Sequence, residues 1–167
     1  LREAADVVLL GEMRTLETIS MAITAAETGS LVFATAHTNG AIDTINRLLD
    51  VFPEGQQNQI RQQLAASLRA VIWQTLIPKK HDNGRVATFE VLFKNYAVSS
   101  MIRDEKTHQI KSLMQMGAKD GMFTMEKYLT KLVVSNQISK EDALACIPEN
   151  TDDFEAMLTK ETEGQDE

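Results

Sequence analysis

The sequence predicts an α/β fold in which a parallel sheet with flanking helices is followed by a C-terminal helical region. Three observations predict it. Val7-Val8-Leu9-Leu10 is a fully apolar run, β-branched at its start and closed by Gly11, the pattern of a strand buried on both faces of a parallel sheet. A helical periodicity then leads to a second short apolar run, Leu31 to Thr35, and strand, helix, strand in this order makes a right-handed crossover unit. From Tyr96 onward only helical spacing is found.

In the first helix Thr15 is the expected cap and Glu17 the first-turn acid, with Leu16, Ile19, Ile23 and Ala26 recurring until Gly29 offers a left-handed stop. Ile42, Ile45, Leu48 and Leu49 make the stripe of a second helix that Pro53 ends by Val51 or Phe52. A third, from about Gln56, uses Ile60, Leu64 and Leu68, and its amide-rich other face is a solvated surface or a subunit contact. Arg61 and Arg69 could act in trans as charge stabilisers in an oligomer, but no spacing selects them. Val71–Ile77 and Arg85–Phe93 are strand-like, and Asn83-Gly84 between them favours a hairpin with Ala87, Phe89, Val91 and Phe93 on one face. Trp73 lies inside a strand and reads as core filling rather than a stacking platform.

Helices are expected at Ala97–Glu105, Gln109–Met116, Thr124–Ser135 and Lys140–Cys146. Met101, Met114, Met116, Met122 and Met125 crowd this region, as adaptable core or as a surface that repacks against partners. Gly117 and Gly121 bracket a flexible turn, and neither His81 nor His108 has a pattern of partners. The expected organisation is a core over residues 1–95, a helical region over 96–150 and an acidic tail over 151–167, solvated or frayed.

Composition narrows the function classes. The chain has 167 residues, 43% of them apolar, and a net charge of −7. Eight of its acids lie from Glu149 on, opposed only by Lys160, so the tail carries that charge and the body balances 16 bases with 16 acids. No basic field exists for nucleic acid or an anionic membrane. No apolar run approaches the roughly 18 residues of a transmembrane segment, and no signal peptide opens the chain. The lone Cys146 suits a reducing compartment, so a soluble, cytoplasmic protein is expected. The start at Leu1, directly before a strand, reads as a start inside a fold.

Topology then selects two residues. Ligands of open parallel sheets bind beyond the carboxyl ends of the strands. Glu12 lies just after the first strand and His37 just after the second, in Ala36-His37-Thr38-Asn39-Gly40. Each alone is commonly an exposed loop group. Together at one crevice, a carboxylate and an imidazole can serve as metal contact, water-orienting base or phosphate sensor. Arg14 is close enough in sequence to reach the same edge, although a solvated helix start is the plainer reading.

Asp6 to Thr18, DVVLLGEMRTLET, followed by Ala25 to Asn39, AAETGSLVFATAHTN, resembles the Walker B segment and histidine box of the secretion ATPase superfamily, and most closely its type IV pilus retraction motors. The resemblance continues through Ile45–Pro78 to about Asn150. It implies a partial RecA-like P-loop NTPase core. Glu12 would be the Walker B carboxylate, catalytic and near Mg2+ through water; His37 would be the second histidine of the box, coupling the γ-phosphate to the subunit interface. Thr35 and Thr38 would be water or phosphate contacts. Ala97 to Asp104, AVSSMIRD, aligns with the retraction motif, so Met101, Ile102 and Arg103 would be coupling residues.

Some positions depart from the pattern: Ser30 stands where the first histidine is expected, Thr15 replaces an Asp, and Ser99 and Ser100 replace Arg and Asn. No Gly-x-x-x-x-Gly-Lys-Ser/Thr loop and no acidic box occur in the 167 residues, so ATP would be held mainly by an upstream part and this chain alone is expected to be inactive. The resemblance further implies a homo-hexamer at the cytoplasmic face of the inner membrane, at the pilus base, partnered by the pilus inner-membrane platform protein. Ser30 and the altered arginine motif leave open a non-catalytic ring subunit or regulator. A pilus-assembly or type II secretion ATPase on the same fold is a further alternative.

Overall fold

A computed structural model describes residues 5–147 and 151–163. The chain forms two compact units: one takes in the chain up to Val71 together with Phe93–Leu113, the other Ile72–Leu92 and the chain from Met114. The expected divisions at residues 95 and 150 are sequential, whereas these units interleave along the chain.

In the first unit, β1 (Val7–Leu10) and β2 (Leu31–Ala34) pair in parallel, Val7 opposite Leu31 and Leu10 opposite Ala34. The crossover between them is α1 (Leu16–Glu27). Thr15 caps it in a box with Thr18, whose hydroxyl donates to the Thr15 carbonyl at 2.9 Å. Its own backbone N–H and, after it, the Thr15 hydroxyl hold the Glu17 carboxyl below its ordinary range. Past the last turn Gly29 takes φ +104°, where a side chain would be strained.

Among the described residues only one face of the two strands is covered. Helix α1 packs on β2, and Val7, Leu9, Leu31 and Phe33 are left between 45% and 78% exposed. Strands of this composition need a layer on each side. The described residues supply one.

Helices α2 (Ala41–Asp50) and α3 (Glu54–Ser67) follow, separated by Pro53 as expected. Ile45, Leu48, Leu49, Phe52, Ile60 and Leu64 are buried. Gln56, Gln59 and Gln63 rim a groove of about 340 Å³ between α1 and α3 with Leu16, Ile23 and Ile60 along it. Helix α4 (Tyr96–Arg103), capped by Asn95, packs against α3. Ser99, 4% exposed, donates to the Ala65 carbonyl at 3.0 Å and so ties α4 to α3. A 3-10 turn, Thr107–Gln109, then leads into α5 (Ile110–Met116).

In the second unit β3 (Ala70–Pro78) and β4 (Arg85–Phe93) are hydrogen-bonded neighbours. A link this short requires an antiparallel pair. At the end of β4 Val91 and Leu92 are both buried and Phe93 is 42% exposed, so burial does not alternate there. Val91 makes a second bridge there, to Phe123. Helices α6 (Met125–Val134) and α7 (Lys140–Ala145) start at Thr124 and Ser139. Ile77, Met125, Leu129, Leu132 and Ile138 form the core, with Trp73 packed against it. Met114, Met122 and Met125 are buried core, whereas Met101 is half-buried and Met116 is 76% exposed. The glycine-bracketed turn is packed: a Cβ at Gly117 would stand 2.4 Å from the Met122 methyl. Burial, with the Asp142 carboxylate nearby, pushes the Cys146 thiol up from its ordinary range.

The tail is the largest correction. Asp152–Glu163 is a helix, α8, packed against α6, with Phe154 fully buried. Glu155 pairs with Lys140 at 3.2 Å and Gln115 donates to Asp153 at 3.1 Å. The net charge hid an apolar stripe, Phe154 and Leu158, inside an acidic segment; Asp152, Asp153 and Glu155 in its first turn favour the helix dipole. The last acids, Asp166 and Glu167, lie outside the described residues.

Candidate functional site

The parallel register sets the site. Because Leu10 stands opposite Ala34, the chains leaving the two strands start side by side. Backbone pairing persists one step further, Met13 N–H to the Thr35 carbonyl at 2.9 Å, and the Thr35 hydroxyl donates to the Gly11 carbonyl. The two loops are thus joined at their base.

From this base Glu12 and His37 meet. The His37 Nε2 lies 2.8 Å from Glu12 Oε1, and the Arg14 guanidinium Nε donates to the same oxygen. Glu12 is the most enclosed of the three, its side chain 31% exposed against 73% for His37 and 70% for Arg14. Sequence reasoning gave Arg14 only proximity. Its signal was the spacing Glu-x-Arg at a strand end, where both side chains can turn to one edge.

The loop that carries His37 is tied to α2. The Arg47 guanidinium donates to the His37 carbonyl at 2.8 Å, and the Thr38 and Thr44 hydroxyls are 2.7 Å apart. The hydroxyls of Thr35 and Thr38 therefore both have protein partners, while keeping lone pairs as acceptors. Ser30 sits at the other end of the strands: its hydroxyl donates to the Ala5 carbonyl at 2.7 Å, beside the Leu31 N–H to Asp6 carbonyl bond of 2.8 Å. It lies a strand's length from Glu12, four residues of β2 or about 13 Å of rise.

The coupling residues stand elsewhere. Ile102 is fully buried and Met101 half-buried on α4. Among the described residues, no hydrogen bond or ion pair joins Met101, Ile102 or Arg103 to the Glu12 and His37 loops. Arg61 is no free cation. Its side chain is 12% exposed and pairs with Glu105 at 3.4 Å.

No group of three or more His, Cys, Asp or Glu suited to a metal occurs among the described residues. Mg2+ keeps several waters and needs few carboxylates beside nucleotide phosphates. Glu12 would hold it through water.

Residues 1–163 match the family described as type II/IV secretion system protein. The chain belongs to that family. Among relatives of the same family, a twitching motility protein of Neisseria gonorrhoeae is 50% identical over 143 residues, covering 86% of this chain and 38% of the relative. A type IV pilus retraction ATPase, PilT, of Pseudomonas aeruginosa is 49% identical over 152 residues, covering 90% of this chain and 44% of the relative. Among solved structures, the pilus retraction motor PilT with bound ADP superposes with a TM-score of 0.82 at 47% identity, over 90% of this chain and 42% of that one. The match bears out the mixed α/β architecture, a parallel sheet with flanking helices. The secretion-family chain described here spans about two-fifths of the length of these relatives.

Proposed function

We propose that this chain is the C-terminal ATPase-core part of a homo-hexameric motor that couples ATP hydrolysis to type IV pilus disassembly and retraction. The observation that carries the reading is the Glu12 to His37 contact of 2.8 Å at the carboxyl ends of a parallel pair. Phosphoryl transfer asks little covalent chemistry of a protein and much positioning and charge neutralisation. Glu12 would orient the attacking water and hold Mg2+ through water, and His37, on the adjoining loop, would report the γ-phosphate to the subunit interface. ATP itself is held by a phosphate loop elsewhere in the full-length protein, because this sequence has none.

The motor works at the cytoplasmic face of the inner membrane, at the pilus base, against the platform protein there. No helix among the described residues is long and apolar enough to cross a membrane. Thr35 and Thr38 are water or phosphate contacts, and Met101, Ile102 and Arg103 belong to the coupling segment.

In the full-length protein, Glu12→Gln is expected to abolish most ATP turnover while a fluorescent ATP analogue still binds, because the amide keeps the shape and loses the charge. Turnover at the wild-type rate would remove Glu12 from the reaction.

A further inference from the structure

We infer that Thr44 and Arg47, on α2, are positioning residues that hold the His37 loop in register with Glu12. The inference rests on the hydrolytic reading of that pair.

Thr44 is 9% exposed, on the helix face that also buries Ala41, Ile45 and Leu48. A buried hydroxyl is costly unless it is bonded, and both of its bonds run toward the histidine loop. The Thr44 hydroxyl donates to the Gly40 carbonyl at 2.7 Å. It has one proton, so the Thr38 hydroxyl, 2.7 Å away, must be the donor in their contact. The chain of bonds runs Thr38 to Thr44 to Gly40, one residue past the imidazole and back to the start of the helix.

Arg47 closes the other side. One turn along α2, its guanidinium donates to the backbone carbonyl of His37 itself at 2.8 Å. Residues 37, 38 and 40 are all bonded to a single helix, and the imidazole 2.8 Å from Glu12 follows where α2 goes. Helix α2 also packs against the turn Thr107–Gln109, and that turn against α4. A shift of the histidine loop and a shift of α2 are then one motion, delivered toward the segment that carries Arg103. Neither Thr44 nor Arg47 touches Glu12, so their effect passes through His37.

The test uses the full-length protein and steady-state ATP hydrolysis. Thr44→Val removes the hydroxyl at constant shape, and kcat should fall about tenfold with KM for ATP unchanged, as for loss of alignment of a reacting group. Thr44→Ser should restore most of kcat. Arg47→Gln, at an exposed position, should show the same split, and the double variant should lose less than the product of the two effects because both act on one loop. Wild-type kcat in Thr44→Val with an unchanged thermal midpoint overturns the inference, as does a raised KM with kcat retained. Should Thr44→Val not fold, Arg47→Gln decides alone: lowered kcat at constant KM supports the role, and unchanged kcat overturns it. Glu12→Gln in the same assay separates the two levels. If it stops turnover while Thr44→Val and Arg47→Gln do not slow it, only the positioning role fails; if it turns over normally, the site fails and the inference with it.

Discussion

Single side chains at strand and helix ends decide most of the chemistry. Gly40, which begins α2, has φ +156° and ψ +168°, a region that only glycine occupies without strain. Gly40→Ala should therefore destabilise the fold by about 1–3 kcal/mol and displace the loop bearing His37. Chemical denaturation measures the first effect and ATP turnover of the full-length protein the second. Glu12 and His37 were legible from the sequence because strand ends converge in a parallel pair whatever the rest of the chain does. Thr44 and Arg47 were not. A threonine among apolar helix positions and an arginine near a helix end are common, and only the path of the loop shows what they bond. Ser30 is a similar case: its identity raised doubt about catalysis, and its hydroxyl instead ties the amino ends of β1 and β2.

Among the elements, the capped helices are legible and the acidic one is not. Thr15, Asn95, Thr124 and Ser139 each start a helix by accepting a backbone N–H, and such local signals survive in any tertiary context. Helix α8 depends on a distant surface, since its stripe is narrow and its charge is high. Phe154 is fully buried in the cluster that includes Leu129, Leu132 and Ile138. Phe154→Ala should cost about 3–5 kcal/mol of stability, read as a shift in the urea midpoint. An unshifted midpoint would return the segment to the frayed tail first expected. Glu155→Ala, which removes only a half-exposed ion pair with Lys140, should cost less than about 1 kcal/mol.

The whole molecule is unequally covered. Leu9 is 78% exposed and Phe33 55%, and they stand opposite one another on the open face of the parallel pair. A contiguous apolar patch of this kind marks an interaction surface or an aggregation liability. The 167-residue chain expressed alone should bind a hydrophobic fluorescent dye, and the double variant Leu9→Lys, Phe33→Ser should lose most of that signal. Equal fluorescence in the two would mean that the face is covered in solution. The same face explains why a strand that reads as doubly buried is half open: burial on the second side needs a layer that the described residues do not supply.

By itself the sequence determined the strand–helix–strand unit, several of the helix starts and the two residues at the carboxyl edge, because these follow from local periodicity, capping chemistry and the handedness of a parallel crossover. Tertiary structure alone decided which apolar residues are covered, that the acidic tail folds back as a helix, and that α2 grips the histidine loop. Those outcomes depend on surfaces brought together from distant parts of the chain. No local pattern encodes them.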